Sequence, residues 1–409
     1  MKVRLTGPDS PEIEGNLRIT GSKSESNRLL LLQANFNTIR IENLSNSDDT
    51  RVMQKALASR DALLDIHHAG TAMRFLTAYF AGKPGTEVTL TGSARMKQRP
   101  IRILVEALRQ LGAKISYLET PGCPPLKIHG MRLEGRQVTL PADVSSQYVS
   151  ALLLTAPTLP GGLELLLEGQ ITSLPYIEMT LSLLNRLGIQ TVMEGNRIRV
   201  EPKHAIPPQT LVVESDWSSA SYFYSIAALA APGSRIALRS YRPDSLQGDS
   251  VLRRIFTPLG VHSAFEEDQL VLTRVDAAPV SDLSLNLMEA PDLAQTLAVC
   301  CFGLGICCEL TGLHTLKIKE TDRLSALEAE LTKLGARVEV TDQALRLHAG
   351  GPIREGVAVA TYNDHRMAMA FAPLALRTGL LIEDAGVVSK SYPGFWEDLR
   401  TLGFCVSEA

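Results

Sequence analysis

The sequence lacks several features that would assign a protein to a membrane, secreted or nucleic-acid-binding class. Its longest apolar stretches, such as Leu293 to Gly305, are shorter than the ~20 residues that a transmembrane helix requires. The opening residues, MKVRLTGPDS, contain no apolar core of a secretory signal. The formal net charge is only −3, so any basic binding site must be local. We therefore expect a cytoplasmic protein with neither membrane nor nucleic-acid partners.

Metal and nucleophile motifs are also absent. The six cysteines form no CxxC pair, and because most lie in apolar runs we expect buried, reduced thiols. They are Cys123, Cys300, Cys301, Cys307, Cys308 and Cys405. His67 and His68 are adjacent, point apart and lack the i,i+4 spacing of a zinc pair, so we expect no metal site. The chain has neither a G-x-x-x-x-G-K-[ST] phosphate loop nor a G-x-S-x-G turn.

The composition is that of a globular enzyme with two cores. The chain has 409 residues, of which 45% are apolar and 21% are charged. A single core rarely grows to that size, so two domains are expected. The apolar content also makes long disordered stretches unfavourable.

Two kinds of helix recur along the chain. The first kind is apolar, rich in small residues, and opens on polar side chains. It begins near Ser24, Gly70, Ser145, Ser218, Asp292 and Asp364, at intervals of 46, 75, 73, 74 and 72 residues. The second kind is amphipathic and ends in Leu-Gly at Gly112, Gly188, Gly260, Gly335 and Gly403, where glycine suits a left-handed helix cap. The intervals predict about six βα-rich units of ~73 residues.

The repeat also predicts the domain organisation. Short β-branched or alternating runs predict strands over 87–90, 114–117, 197–200 and 337–340. Six units give three per domain, and we expect an inserted N-terminal domain over 21–214 and a C-terminal base domain over 1–20 plus 215–409. The first interval is short by about a third of a unit, between Asp49 and Gly70. We therefore expect the first unit to be shortened.

The helix starts carry an unusual set of basic residues for a chain of negative net charge. Each start alone is typical of a helix cap or a solvated charge, and Asp48-Asp49 in particular is interpreted as a cap. Helix N-termini bind anions, however, and the helices behind these starts are apolar enough to be buried. The starts are Gly21-Ser22-Lys23-Ser24 with Arg28, Gly70-Thr71 with Arg74, Arg95 to Pro100, Ser145 to Gln147, Lys319 to Arg323, and Asn363 to Arg366. Together they predict one anionic-ligand site built from many helix ends.

These motifs resemble the 5-enolpyruvylshikimate-3-phosphate synthase family. They are GSKSESNR (21–28), AGTAMR (69–74), RMKQRP (95–100), SSQY (145–148), IKETDR (318–323) and TYNDHRMAM (361–369). The likeness continues through SLPYIEMT (173–180), SLQGDS (245–250), PDLAQT (291–296) and Lys390. The resemblance implies an α/β fold of two domains, each made of three βαβαββ units, which is an inside-out α/β barrel of the enolpyruvyl transferase type.

The resemblance also implies two sets of binding residues. Shikimate 3-phosphate would be bound by Lys23, Ser24, Arg28, Ser145, Ser146, Gln147, Ser173, Tyr176, Asp292, Thr315 and Lys319. Phosphoenolpyruvate would be bound by Lys23, Gly70, Arg99, Gln147, Arg323, Arg366 and Lys390. Among them, Asp292 would take the proton of the substrate hydroxyl. Glu320 would exchange a proton with the methylene carbon, with Lys23 as its rival.

The implied reaction transfers an enolpyruvyl group to shikimate 3-phosphate and releases phosphate, in the biosynthesis of aromatic amino acids. It needs no metal and no organic cofactor, and we expect a monomer. Repulsion between the cations should hold the empty halves apart, and the substrates' negative charge should favour closure. Three positions depart from the family pattern: His68 replaces Asn, Phe75 replaces Pro and Thr315 replaces Asn. The first two adjoin the phosphoenolpyruvate-binding helix start.

Three other interpretations remain open from the sequence. One is the related enolpyruvyl transferase that acts on a UDP-amino sugar and uses a reactive cysteine. Cys123 is the only candidate for that cysteine, and the Pro- and Gly-rich sequence around Cys123 equally suits a plain turn. A non-catalytic anion- or nucleic-acid-binding repeat protein would explain the basic helix starts but not the acids among them. The short first unit also allows an inactive paralogue.

Overall fold

The computed structural model describes residues 1–143, 145–276 and 280–409. Contacts between Cα atoms divide the chain into two units, which we describe separately. The inserted unit is Gly21–Val213. The base unit combines Met1–Thr20 with Glu214–Ala409. The base unit is therefore discontinuous in sequence.

The chain begins with two strands of the base unit and then enters the inserted unit. The first strands are β1 (Val3–Thr6) and β2 (Glu14–Leu17). The elements of the inserted unit are α1 (Lys23–Asn35), β3 (Ile39–Glu42), α2 (Asp48–Ala58), β4 (Leu63–Asp65), α3 (Gly70–Ala81), β5 (Glu87–Thr91), α4 (Arg102–Gln110), β6 (Lys114–Tyr117), β7 (Leu126–His129), β8 (Gln137–Pro141), α5 (Ser146–Thr155), β9 (Leu163–Glu168), α6 (Leu174–Arg186), β10 (Thr191–Glu194), β11 (Arg197–Val200) and β12 (Gln209–Val212).

The rest of the chain completes the base unit. Its elements are α7 (Trp217–Leu229), β13 (Arg235–Arg239), α8 (Leu252–Phe256), β14 (Val261–Glu266), β15 (Gln269–Arg274), β16 (Asp282–Asn286), α9 (Ala294–Leu304), β17 (Cys307–Thr311), α10 (Arg323–Lys333), β18 (Arg337–Val340), β19 (Leu345–His348), β20 (Ala358–Val359), α11 (His365–Phe371), β21 (Leu380–Ile382), α12 (Phe395–Thr401) and β22 (Cys405–Glu408).

Each complete repeat forms one mixed four-stranded sheet. In the repeat β16-α9-β17-α10-β18-β19, strands β16 and β17 are parallel, and β19 pairs antiparallel with both β17 and β18. The sheets β4-β5-β7-β6 and β8-β9-β11-β10 repeat this order. Strand β2 joins the sheet of β13, β15 and β14, and β1 lies between β21 and β22. The predicted fold of βαβαββ units is confirmed, with the N-terminal strands completing two of the base unit's sheets.

The first repeat lacks its antiparallel hairpin. Among the described residues, strand β3 pairs with β12 alone, in parallel, and the chain passes from α2 directly to β4 of the next sheet. The missing hairpin accounts for the short first interval between the apolar helices. The shortened first unit predicted from the sequence is therefore confirmed.

The first helices of the repeats form the cores of the two units. Nearly every residue of α7, α9 and α11 is buried, as are most residues of α3 and α5. A helix that is apolar on all sides must be covered on all sides, whereas α4 and α10 bury one face. The polar residues at the starts of the apolar helices are therefore held at fixed points. Among the described residues, no helix is long and apolar enough to cross a membrane.

Glycine caps end the amphipathic helices as the sequence predicts. Gly335 follows α10 with a φ of 102°, and Gly403 follows α12 with a φ of 86°. Gly305 ends the apolar helix α9 with a φ of 73°. Within the described parts of the chain, a Cβ at Gly305 would meet no atom within 4 Å, whereas a Cβ at Gly335 would lie 2.8 Å from the carbonyl oxygen of Pro352.

This difference predicts two sizes of effect on the stability of the base unit. Gly305→Ala should lower the free energy of unfolding by about 1 kcal/mol, the cost of a left-handed alanine. Gly335→Ala should lower it by at least about 1 kcal/mol more, because the Cβ also displaces a backbone carbonyl. Gly386→Ala is the control, since its backbone is not left-handed and its Cβ meets no atom within 4 Å. Urea denaturation measures all three, and equal losses for Gly305→Ala and Gly335→Ala would contradict the steric argument.

Candidate active site

In the inserted unit, Arg28 joins three of the helices whose starts are polar. It is buried, and its Nε donates to Oγ1 of Thr180 at 2.8 Å. Its Nη2 donates to Oγ of Ser150 at 2.9 Å and to the carbonyl of Tyr176 at 3.2 Å, while Nη1 donates to the carbonyl of Ser24 at 2.9 Å. Burial lowers the pKa of Arg28 to about 10, which leaves a positive charge at neutral pH. Helices α1, α5 and α6 therefore meet around one buried cation.

Arg99 lies against the first residue of α3. A Cβ at Gly70 would be only 2.5 Å from Nη1 of Arg99, so only glycine allows the guanidinium to approach this closely. Arg99 is 8% exposed. Nε2 of Gln147 donates to Oγ1 of Thr71 at 3.2 Å, which brings the start of α5 to the start of α3. A guanidinium, an amide and a helix N-terminus therefore lie together, which is a combination that binds anions.

Lys23 and His68 both approach the carboxylate of Asp49. The distance from Nζ of Lys23 to Oδ2 of Asp49 is 3.2 Å, and that from Nε2 of His68 to Oδ1 is 3.9 Å. The sequence interpretation of Asp49 as a helix cap was wrong, because the hydroxyl of Ser47 caps α2 by accepting from the backbone N–H of Thr50. Asp49 is almost fully buried and instead fixes the first residue of α1.

The starts of α5 and α6 supply the remaining predicted groups of this unit. Ser145 caps α5, its hydroxyl accepting from the backbone N–H of Gln147 at 3.4 Å, and Ser146 is half-buried beside it. Ser173 precedes α6 with a φ of 54°, a left-handed conformation that is uncommon for serine, and it is 9% exposed. Its carbonyl accepts from the backbone N–H of Tyr176. Strained residues of this kind concentrate at ligand sites.

In the base unit, Arg323 binds three carboxylates at once. Its Nε donates to Oδ2 of Asp364 at 2.7 Å, its Nη1 to Oδ1 of Asp292 at 2.8 Å and its Nη2 to Oε2 of Glu320 at 2.8 Å. Burial alone would lower the pKa of Arg323, but Asp364, Glu320 and Asp292 outweigh it and hold the pKa above its ordinary value. The side chain of Arg323 is 2% exposed and that of Asp364 is fully buried.

Asp292 is shared between two guanidiniums. Its Oδ2 accepts from Nη2 of Arg366 at 2.8 Å, and Nζ of Lys319 lies 3.8 Å from its Oδ1. Burial by itself would raise the pKa of Asp292, but Arg366, Lys319 and Arg323 together hold it far below its usual range. The carboxylate is therefore fully ionised and is a weak base while these three cations surround it.

A second buried acid lies next to this network. The hydroxyl of Ser218 donates to Oδ2 of Asp249 and also lies 3.3 Å from Nη2 of Arg366. Burial raises the pKa of Asp249 to about 6, and the nearby charge of Asp292 acts in the same direction. Within the described ranges, Oδ1 of Asp249 is buried without a hydrogen-bond partner.

Two predicted residues lie at the edges of the base-unit cluster. Nζ of Lys390 donates to the carbonyl of Asn363 at 2.6 Å and to its Oδ1 at 3.0 Å, next to Asp364 in the chain. Thr315 lies in a 3₁₀ turn that ends just before Lys319. In the part of the chain that the structure describes, its buried Oγ1 has no hydrogen-bond partner.

The structure thus forms two clusters, one in each unit. The inserted-unit cluster contains Lys23, Ser24, Arg28, Gly70, Arg99, Ser145, Ser146, Gln147, Ser173 and Tyr176. The base-unit cluster contains Asp292, Lys319, Glu320, Arg323, Arg366 and Lys390. Among the described residues, no group of three or more His, Cys, Asp or Glu side chains is placed to hold a metal ion. All six cysteines are free thiols, but only Cys300, Cys301 and Cys308 are buried as expected. Cys307 is half-buried, Cys405 is exposed, and the half-buried Cys123 lies in the turn before β7.

Four polar residues lie beside these clusters and were not predicted as site residues. Asp49 was assigned to a cap, and Ser218 and Asp364 were recognised only as polar residues at helix starts. Asp249 lies in the stretch SLQGDS, whose resemblance to the family was noted, but no charge pattern in the sequence indicates burial beside Asp292. Helix position alone was thus a usable signal for Ser218 and Asp364.

The raised pKa of Asp249 predicts how stability depends on pH. The pKa rises from its ordinary value of 3.8 to about 6 on folding, so the folded protein binds this proton more tightly than the unfolded chain. That contribution is complete below about pH 4 and is lost as the pH rises through about 6. Asp249→Asn cannot ionise, so the stability of wild type relative to the variant should fall by about 2 kcal/mol between pH 4 and pH 7. Denaturation at each pH measures the difference.

Asp9→Asn, a change at an exposed aspartate of the same unit, is the control and should follow wild type throughout. If the stabilities of wild type and Asp249→Asn stay parallel from pH 4 to pH 7, the buried acid is not protonated as described.

The sequence matches one family over most of its length. The family model described as EPSP synthase (3-phosphoshikimate 1-carboxyvinyltransferase) matches residues 54–399. A 3-phosphoshikimate 1-carboxyvinyltransferase of Bacteroides fragilis is 44% identical over 99% of this chain and 98% of its own length. The enzyme of the same name from Nitrosomonas europaea is 35% identical and covers 97% of both chains.

A solved structure has the same fold. The EPSP synthase of Acinetobacter baumannii matches 100% of both chains with a TM-score of 0.79 at 20% sequence identity. This likeness confirms the fold class, while the matches to the family and to the two curated relatives establish the relationship in sequence. The chain therefore belongs to the EPSP synthase family.

Proposed function

We propose that this chain transfers the enolpyruvyl group of phosphoenolpyruvate to the 5-hydroxyl of shikimate 3-phosphate and releases inorganic phosphate. Membership of the family supports the reaction. The observation that carries the chemistry is the cluster of Asp292, Arg323, Arg366 and Glu320, which holds two carboxylates on buried guanidiniums. Acid–base groups and anion-binding groups are thereby within reach of the same small ligand.

The reaction is an addition followed by an elimination. The hydroxyl oxygen attacks carbon 2 of phosphoenolpyruvate and loses its proton, while carbon 3 gains a proton. The product of this step is a tetrahedral ketal phosphate. Phosphate then leaves with the electrons of its bond to carbon 2, and carbon 3 gives up a proton, which restores the double bond.

The base unit supplies the proton-transfer groups of this proposal. Asp292 accepts the hydroxyl proton, and Glu320 gives a proton to carbon 3 and later retrieves one. Lys23, of the inserted unit, is the alternative to Glu320. Arg323 and Arg366 bind the anionic groups of phosphoenolpyruvate, and they are positioned before the substrate arrives because both guanidiniums are buried and held by ion pairs. Lys319 and Thr315 lie on the shikimate side.

The inserted unit supplies further cations for the same two substrates. Phosphoenolpyruvate is bound by Lys23, the start of α3 at Gly70, Arg99 and Gln147, in addition to Lys390 of the base unit. Shikimate 3-phosphate is bound by the polar starts of α1, α5 and α6, namely Ser24, Arg28, Ser145, Ser146, Ser173 and Tyr176. The contacts of Arg28 with three helices support this, because they fix those starts relative to one another.

Other properties of the enzyme are proposed from the sequence alone. The enzyme acts as a cytoplasmic monomer without a metal or organic cofactor, and it takes no nucleic acid as a partner. The small net charge of −3 supports the last point.

A phosphate-release assay with both substrates tests the function. Wild type should release phosphate only when shikimate 3-phosphate and phosphoenolpyruvate are both present. Glu320→Gln and Arg99→Ala should each lower turnover at least roughly tenfold, the scale of losing one acid–base or charge-stabilising group.

Each variant has a matched control. Glu328→Gln changes a carboxylate on the same helix as Arg323, and Arg102→Ala changes an exposed arginine three residues from Arg99. Both should keep wild-type turnover, as should Cys123→Ser. Turnover with a UDP-amino sugar in place of shikimate 3-phosphate would indicate the related transferase. If no phosphate is released with either acceptor, the protein is an inactive paralogue. Full activity in both Glu320→Gln and Arg99→Ala would show that the site is elsewhere.

A further inference from the structure

The segment before α11 has an unusual backbone. Tyr362 and Asn363 both have left-handed conformations, with φ of 53° and 61°. Asparagine tolerates this region, but a tyrosine there costs on the order of 1 kcal/mol or more. Asp364 and Arg366, which belong to the base-unit cluster, follow immediately. Other contacts must therefore hold the strained backbone, and the positions of Asp364 and Arg366 depend on them.

A buried carboxylate of α10 provides one such contact. The side chain of Glu330 is fully buried. Its Oε1 accepts from the hydroxyl of Tyr362 at 2.6 Å, and its Oε2 accepts from the backbone N–H of Ala360 at 3.1 Å. Lys333 donates to both oxygens from the solvent side, at 2.7 and 2.9 Å. Hydrogen bonds to an ionised, buried acceptor are among the stronger ones.

Glu330 and Arg323 lie on the same face of one helix. They are seven residues apart in α10, which is two turns and about 10 Å along the axis. Arg323 binds Asp364 at one end of the 360–364 segment, and Glu330 binds Ala360 and Tyr362 at the other. Helix α10 thus acts as a rigid spacer that sets both ends of this segment.

We propose that Glu330 is a positioning residue for phosphoenolpyruvate: by fixing Ala360 and Tyr362 it holds the left-handed turn that presents Asp364 to Arg323 and Arg366 to Asp292. The proposal rests on the proposed function, because Arg366 and Lys390 are the residues that bind this substrate there. Lys390 stabilises the same turn by donating a hydrogen bond to the carbonyl of Asn363. If the turn relaxes, both cations move, and displacements of about 1 Å at a site can cost up to a hundredfold in rate.

The test uses three single variants and one double variant of the whole chain. Glu330→Gln keeps the size of the side chain but cannot accept all of its present hydrogen bonds. Tyr362→Phe removes one hydroxyl from a side chain that is 41% exposed, so the protein should still fold. Lys333→Met is the matched control, because it removes the third partner of the same carboxylate without touching the turn.

The proposal predicts a selective effect on one substrate. Glu330→Gln should raise KM for phosphoenolpyruvate roughly tenfold and Tyr362→Phe roughly threefold, while KM for shikimate 3-phosphate changes less than about twofold. The double variant combines Glu330→Gln with Tyr362→Phe. Its KM for phosphoenolpyruvate should be no higher than that of Glu330→Gln alone, because the hydroxyl of Tyr362 acts through the carboxylate of Glu330. Lys333→Met should leave both KM values unchanged.

A purely structural role would give a different pattern. Loss of folded protein lowers the apparent kcat for both substrates and leaves the ratio of the two KM values constant. The proposal is overturned if the ratio of the two KM values in Tyr362→Phe stays at its wild-type value. This variant alone is sufficient for the test if Glu330→Gln does not fold. Failure of wild type to release phosphate would instead overturn the proposed function, so the two failures are distinguishable.

Discussion

The base-unit cluster depends on one buried guanidinium. Arg323 lies at the first turn of α10 and binds Asp292, Glu320 and Asp364, each through a different nitrogen. A buried charge is tolerated only when it is paired and hydrogen-bonded, so each of the three acids is required to be where it is. Since the three acids come from different segments of the chain, this single set of bonds fixes the relative positions of α9, α10 and α11 at their starts. Removing Arg323 would leave three carboxylates close together without their shared cation.

The same bonds explain how an acid can be both well held and catalytically useful. Asp292 forms ion pairs with Arg323 and Arg366, the two guanidiniums proposed to bind phosphoenolpyruvate. On the proposed function, its carboxylate holds the place that the substrate's negative charge takes. Its depressed pKa makes it a weak base. On the proposed function, an anionic substrate that binds these guanidiniums would remove part of their stabilisation of Asp292 and add a negative neighbour. Both changes would raise the pKa of Asp292 toward a value at which it can take the hydroxyl proton.

Sequence reasoning succeeded where the signal is local or periodic. Leu-Gly pairs predicted the glycine caps after α10 and α12, and the strand ranges near β5, β6, β11 and β18 were confirmed. The 46-residue interval predicted a shortened first unit but not which strands it lacks. The prediction from helix position failed at Asp49, because Ser47 and Asp49 are equally good caps in sequence. Only the structure distinguishes them, since Ser47 caps α2 whereas Asp49 pairs with Lys23. It could not identify Glu330 or Asp249, since an acid on a helix is usually solvated. Their partners, Tyr362 and Ser218, lie about 30 residues away in the chain.

The central claim is that Asp292 holds the place of an anionic ligand, and Asp292→Asn tests it most directly. The measurement is calorimetric titration of wild type and of this variant with phospholactate, the saturated and unreactive analogue of phosphoenolpyruvate, without shikimate 3-phosphate. With the competing charge removed from Arg323 and Arg366, the variant should bind the analogue at least as tightly as wild type, although its turnover falls roughly a hundredfold. A variant that bound the analogue tenfold more weakly would show that Asp292 supports the anion site rather than competing with the anion, and would contradict this account.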